Sequence, residues 1–185
     1  MTTDIARMRK FTADEYERMV DLGIFGEDER LELIEGEIVE MAPVGHRHAA
    51  CVAQLNKRLV ISVGDRALVW VQGPARLGVD SVPEPDLALL RPHSYRSGSP
   101  RPEDVLLVIE VAESSLRHDR TTKLRLYARA GVPEYWVVSV DGEWIEVHRS
   151  PEGDGYRERH RAGRGQTGAP AAFPDLAVAV ADVFA

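Results

Sequence analysis

One glutamate sits where a chain can least tolerate a charge: Glu110 interrupts the apolar run Leu106-Leu107-Val108-Ile109-Glu110-Val111. A run of that length and β-branched content reads as a buried strand, Val105 to Val111. Burying a carboxylate without a partner is costly, so the fold must bring Glu110 a cation or a basic side chain. On this residue alone, a metal site stands at even odds with the plainer reading that Glu110 pairs with an arginine or caps a nearby helix. The preceding strand, Asp86 to Leu90, opens on Pro85-Asp86. If the two strands form an antiparallel hairpin across the loop from Arg91 to Asp104, Asp86 stands four positions before Leu90 (90 − 86) and Glu110 five after Val105 (110 − 105). Both carboxylates then fall at the same end of adjacent strands. Taken alone, Asp86 is a weaker signal than Glu110, since an Asp after Pro at a strand start is often just a turn residue.

Lys123 shifts that balance. Only Ala112 to His118 separates Glu110 from a helix expected over Asp119 to Ala130, which stops at Gly131 with Pro133 beyond it. Helical side chains lean toward the N-terminus, so the Lys123 amine is aimed back at the strand ends. Two carboxylates and an amine around a cation are the minimum set for hydrolysing a phosphodiester. Read singly, Lys123 is more readily a solvated helix lysine than a site residue.

The remaining pattern gives the architecture. Thr12 and Glu15 form a capping box for a helix with Tyr16, Met19 and Val20 as its apolar stripe. Leu31 to Met41 reads as two short strands turned at Glu35-Gly36. A helix follows over about His48 to Val63, then strand candidates at Leu68 to Leu77, Asp86 to Leu90 and Val105 to Val111. Beyond the Lys123 helix come strands at Glu134 to Val140 and Trp144 to His148. Arg157 to Arg164 reads as a loop or frayed edge, and Phe173 to Phe184 as a final strand or short helix. Tyr135-Trp136 reads as core, while Trp144 lies on a strand expected near a sheet edge. The class is α/β (α+β): a mixed sheet flanked by helices, with an N-terminal β-hairpin.

At 185 residues the chain is expected to be a single domain, with its core over about residues 11 to 184. The net charge of −7 argues against coating nucleic acid through overall charge, though it allows a local basic surface. Cys51 is the one cysteine, which excludes an internal disulfide framework and agrees with a reducing compartment. Met1 to Lys10 mixes charges rather than forming a signal peptide, and no apolar run approaches the roughly 20 residues of a membrane span. The expected location is cytoplasmic, without membrane association. His46, His48 and Cys51 lack the second ligand pair that a zinc site needs.

Several motifs together carry a family resemblance. They are Glu32-Leu33-Ile34-Glu35-Gly36-Glu37, His48, Pro85-Asp86, Glu110-Val111, Asp119-Arg120 with Lys123 and Tyr127, and Gly131-Val132-Pro133-Glu134-Tyr135-Trp136. The chain resembles the Uma family of restriction-endonuclease-like proteins, part of the PD-(D/E)XK nuclease superfamily, over about Phe11 to Phe184. The stretch from Glu110 to Trp136 is the specific part. The resemblance implies a restriction-endonuclease-like core and a Mg²⁺-dependent phosphodiesterase site, with Mn²⁺ able to substitute. Carried over by position, it implies Asp86, Glu110 and the backbone carbonyl of Val111 as metal ligands, and Lys123 as the catalytic amine. Glu32 is then an accessory acid on the opposite wall. His48, Gln72 and Asp119 become supporting or substrate contacts. From their places along the Lys123 helix, Arg117 and Arg120 are expected near the cleft, within reach of phosphates, with a solvated helix face as the other reading.

One departure stands out. The superfamily motif carries a basic or polar residue two positions after the glutamate, and here that position is Ala112; Lys123 would have to supply the amine from the helix. Two functions follow from these residues. One is a Mg²⁺-dependent endonuclease acting on DNA, for which a homodimer suits cutting both strands. The other is a nuclease-fold module that binds a nucleic acid or protein without cutting.

Overall fold

The computed structural model describes residues 8–26 and 28–185. The charged N-terminal stretch read against a signal peptide falls mostly on residues 1–7, outside the described residues.

Thr12 caps α1 (Ala13–Asp21), and the expected box forms, with Thr12 and Glu15 each bonding the other's backbone N–H. Its buried face is Ala13 and Tyr16, whereas Val20 is half exposed, so the stripe is narrower than Tyr16, Met19 and Val20. The hairpin β1 (Leu31–Ile34) and β2 (Glu37–Glu40) pairs Ile34 with Glu37 across the two-residue turn Glu35-Gly36. Both turn residues have positive φ, +49° and +81°, the conformation that matches the right-handed twist of a hairpin. The turn is docked as well as tight, because Phe11 N–H donates to the Gly36 carbonyl and Gly36 N–H donates to the Asp80 carbonyl. A Cβ at position 36 would stand 2.6 Å from Lys10 Cβ. Gly36→Ala should therefore cost about 1–3 kcal/mol in urea unfolding. A loss below about 0.5 kcal/mol would contradict this account.

α2 (His46–Val63) begins two residues before its expected start and buries Val52, Leu55, Leu59 and Val63. A six-stranded sheet follows, in the order β3 (Leu68–Val71), β4 (Leu87–Leu90), β5 (Val105–Ala112), β6 (Glu134–Ser139), β7 (Trp144–Glu152) and β8 (Gly155–Gly163). Neighbours are antiparallel except β5 and β6, which run parallel. A parallel pair needs a crossover. Here it consists of α3 (Leu116–His118), a π-helical turn over Asp119–Lys123 and α4 (Leu124–Arg129). The expected single helix over Asp119 to Ala130 is thus one continuous element that starts earlier and contains a wider turn.

Both faces of the sheet are covered. Leu87, Leu107, Ile109 and Val111 pack with α2 and the C-terminal α5 (Val180–Val183), whereas Val108, Ala112, Tyr135 and Val137 pack with Tyr127 of α4. Burial on both sides explains why β5 and β6 read as continuous apolar runs. β3 ends at Val71 rather than Leu77, since Gln72 turns to φ +44° and Pro74 has no N–H to give a ladder. Of the two readings of Arg157 to Arg164, a loop or a frayed strand edge, the strand holds, since the segment mostly lies in β8. Its charged side chains suit an edge strand, where they discourage pairing with another chain. Two short strands, β9 (Thr167–Gly168) and β10 (Val178–Ala179), complete the C-terminal region together with α5.

Candidate active site

The register of β4 and β5 decides where the two carboxylates stand. Leu87 pairs with Ile109, so Asp86, one residue earlier, faces Glu110 across the strand ends. The register shifts between Leu89, opposite Leu107, and Leu90, opposite Val105, leaving Leu106 as an extra residue. That β-bulge absorbs the mismatch between four positions on one strand and five on the other.

Glu110 is buried, and its partner is neither an arginine nor a capped helix end. Its Oε1 accepts from Lys123 Nζ at 3.0 Å and from Tyr127 Oη at 2.6 Å. The Lys123 amine also donates to Glu32 Oε1 at 2.9 Å, and that oxygen accepts from Glu84 N–H at 2.7 Å. Burial pushes the Glu110 carboxyl well above the ordinary carboxylate range, against the opposing pull of the Lys123 charge. Burial works against the Lys123 ammonium too, but Glu110 and Glu32 outweigh it and hold the amine protonated. One amine thus bridges the strand carboxylate and the N-terminal hairpin.

Asp86 is held from two sides. Its Oδ2 accepts from Val111 N–H at 2.8 Å, and its Oδ1 lies 2.9 Å from His48 Nε2 at the start of α2. The imidazole is not in line with that oxygen, so Nε2 has no well-aligned hydrogen bond among the described residues. Contact with Asp86 raises the His48 pKa above its ordinary value, against the effect of burial. Asp119 is buried in the π-helical turn and accepts from Ser115 Oγ at 2.5 Å. Burial raises its carboxyl, with the Ser115 hydrogen bond pulling the other way. In the wider turn Asp119 and Lys123, four residues apart, are both buried.

Glu32, His48, Asp86, Glu110, Asp119 and Lys123 line one cleft of about 270 Å³, which the Val111 backbone also borders. Met41, Pro43 and Val44 form an apolar stretch of its wall. Three expected contacts are not in it. Gln72 is exposed at the end of β3, and its backbone N–H donates to the Asp86 carbonyl rather than its side chain reaching the cleft. Arg117 is exposed on α3, and Arg120 turns instead to Glu146 on β7. Tyr127, quoted above without a role, holds Glu110 directly; its place one helical turn after Lys123 is the signal that would have assigned it.

The sequence profile of the Uma2 family, described as "putative restriction endonuclease", matches residues 13–181. The chain belongs to the Uma2 family. Among solved structures, this Uma2 chain is similar to a "putative nuclease belonging to DUF820" from Anabaena variabilis, with a TM-score of 0.72 and 17% identity. That match covers 94% of this chain and 97% of the other, and at this identity it shows the shared fold. The type IIG restriction endonuclease BpuSI aligns over 62% of this chain and 14% of its own, at 15% identity and a TM-score of 0.38 that carries no argument. Comparison with curated proteins gives no match. The fold is restriction-endonuclease-like, and the family supports a nuclease function.

Proposed function

We propose that this Uma2 protein is a Mg²⁺-dependent endonuclease that hydrolyses DNA phosphodiester bonds, with Asp86, Glu110 and Lys123 as its catalytic residues. The observation that carries the reading is the meeting of these three side chains in one cleft, with the Lys123 amine 3.0 Å from Glu110. Among the described residues, no three His, Cys, Asp or Glu side chains are grouped closely enough to cage a cation. Mg²⁺ does not require such a group, because it is commonly held by one or two carboxylates, waters and substrate phosphates. Asp86, Glu110 and the Val111 carbonyl are the hard oxygen donors proposed to hold it, with Mn²⁺ as a substitute.

A divalent cation bound there supplies Lewis acidity to the phosphate and to an attacking water. The chain's own residues do the rest. The Lys123 ammonium, kept charged by Glu110 and Glu32, opposes the negative charge that grows on the phosphate. Tyr127 fixes the rotamer of Glu110, and Val111 N–H fixes Asp86, with His48 close against its other oxygen. Glu32 and Asp119 act as accessory acids. No helix among the described residues is long and apolar enough to cross a membrane. The same reading takes the chain as a single cytoplasmic domain, with a second copy supplying the second cut in a duplex.

Ala112, at the motif's basic position, favours the alternative of a nuclease-fold module that binds nucleic acid or protein without cutting. Cleavage of plasmid and single-stranded DNA with Mg²⁺ or Mn²⁺ separates the two. Metal-dependent product that EDTA abolishes is expected. Intact DNA on every substrate and with either metal would move the assignment to the binding module.

A further inference from the structure

Three strands from Glu110, on the same face of the sheet, the molecule concentrates positive charge. Glu110 pairs with Val137, Val137 with Glu146, and Glu146 with Arg161, so the four residues form one row across β5, β6, β7 and β8. At about 4.8 Å per strand the row places Arg161 roughly 14 Å from Glu110, measured along the backbone. Glu146 is buried, and two guanidiniums converge on it. Arg120 donates through Nε and Nη2 at 3.0 and 3.3 Å, and Arg161 through Nη2 at 2.8 Å. One guanidinium would neutralise the buried carboxylate; two leave an excess. Arg120 and Arg161 keep 36% and 46% of their side chains exposed, against 3% for Glu146.

Two more arginines share this surface by position. Arg159 lies two residues before Arg161 on β8, hence on the same face, and Arg117 lies one turn before Arg120. Neither makes an ion pair among the described residues. Of the nearby acids, Glu143 pairs with Arg164 and Asp141 with Arg47, while Glu158 accepts from Ser150. Arg161 stacks on the partly exposed Trp144 ring, its guanidinium 3.9 Å from the centroid, with Arg120 at 6.0 Å. Stacking pre-orders a guanidinium, so less freedom is lost when it meets a phosphate. Burial, together with Arg159 and Arg120, depresses the His148 pKa, which leaves the arginines to set the charge of the patch at neutral pH.

We propose that Arg117, Arg120, Arg159 and Arg161, ordered on Trp144 and Glu146, form a docking surface for the phosphodiester backbone of DNA held in the Asp86–Glu110 cleft. This rests on the nuclease reading and adds to it the place where the substrate is gripped away from the chemistry. The roughly 14 Å offset along the sheet is comparable to the roughly 12 Å width of a DNA major groove, so one duplex reaches both. It also explains how an acidic chain holds a polyanion: a local basic face near the cleft outweighs a net charge of −7 at short range.

The test is the affinity of a labelled DNA duplex for the full-length protein in EDTA, titrated across salt concentration so that binding is read without cleavage. The variant Arg120→Gln/Glu146→Gln/Arg161→Gln removes the buried carboxylate along with both guanidiniums, and thermal melting checks its fold. It should bind about ten- to a hundredfold more weakly, and the slope of log affinity against log salt should shrink by about two. Arg117→Gln/Arg159→Gln alters only exposed side chains without ion pairs and should lose a similar slope, which keeps the test decisive if the triple variant unfolds. Arg66→Gln, a charge removed beside Phe173 and away from the patch, should match wild type. Unchanged affinity and slope in both patch variants overturns the surface and leaves the nuclease reading standing. Failure of the wild type to bind also overturns it, while the Mg²⁺ cleavage assay decides the nuclease reading separately.

Discussion

Asp86→Asn and Glu110→Gln should each lower metal-dependent DNA cleavage by about a thousandfold or more while the protein stays folded. The amides keep the shape of the acids and the acceptor oxygens used by Val111 N–H and by Lys123 and Tyr127. What disappears is negative charge, and with it the hold on a divalent cation. Glu110→Gln leaves Lys123 its second carboxylate on Glu32, so no buried charge is stranded. Both variants should melt near wild type, and calorimetric titration should show Mg²⁺ affinity falling in parallel with activity. Cleavage at the wild-type rate in either variant would sink the assignment of these carboxylates.

Lys123→Met should affect both activity and stability. Methionine nearly fills the lysine's volume but leaves Glu32 and Glu110 buried without their shared cation. Removing one member of a buried ionic group costs about 3–5 kcal/mol, and the loss of the amine at the phosphate costs about 10² to 10³ in rate. The stability deficit depends on pH in a defined direction. Burial raises the folded-state pKa of Glu110, so its carboxyl favours the folded state most below its ordinary 4.5 and loses that contribution as pH rises through the folded value. The Lys123 charge opposes the rise, so deleting it moves the folded value further up. Urea unfolding should therefore show a deficit that is large at pH 8 and shrinks on acidification toward 4.5. Equal stability of variant and wild type at pH 8 would contradict the shared-cation account.

The carboxylate pair was legible because strand alternation and hairpin register are arithmetic, and the arithmetic needed only one bulge to come out. The amine was legible in direction, from the lean of helical side chains. Its second partner was not: Glu32 lies 91 residues away on a separate hairpin, and local periodicity carries no information about that contact. The family resemblance, not a local pattern, points Gln72 to the cleft, but a positive φ and the following Pro74 end the ladder there and leave its side chain exposed. Arg120 looked like a cleft arginine because it adjoins Asp119; a buried glutamate on β7 competes for it. The β8 strand was hidden by its own charge, since an edge strand with arginines on one face lacks the apolar alternation that announces a strand.

The π-helical turn at Asp119–Lys123 works as a phase shift. Relative to an uninterrupted α-helix, one extra residue in a turn rotates everything downstream by about 100°. That rotation presents Leu126, Tyr127 and Ala128 to the sheet and carries Arg125 and Arg129 onto Glu35 at the hairpin tip. The crossover helix can therefore seat an amine among carboxylates and still dock its apolar side, two demands that a regular helix would place on conflicting faces. Position 112 on β5 is alanine, a small side chain packed in one cluster with Tyr127 where a strand-borne lysine would have to find room.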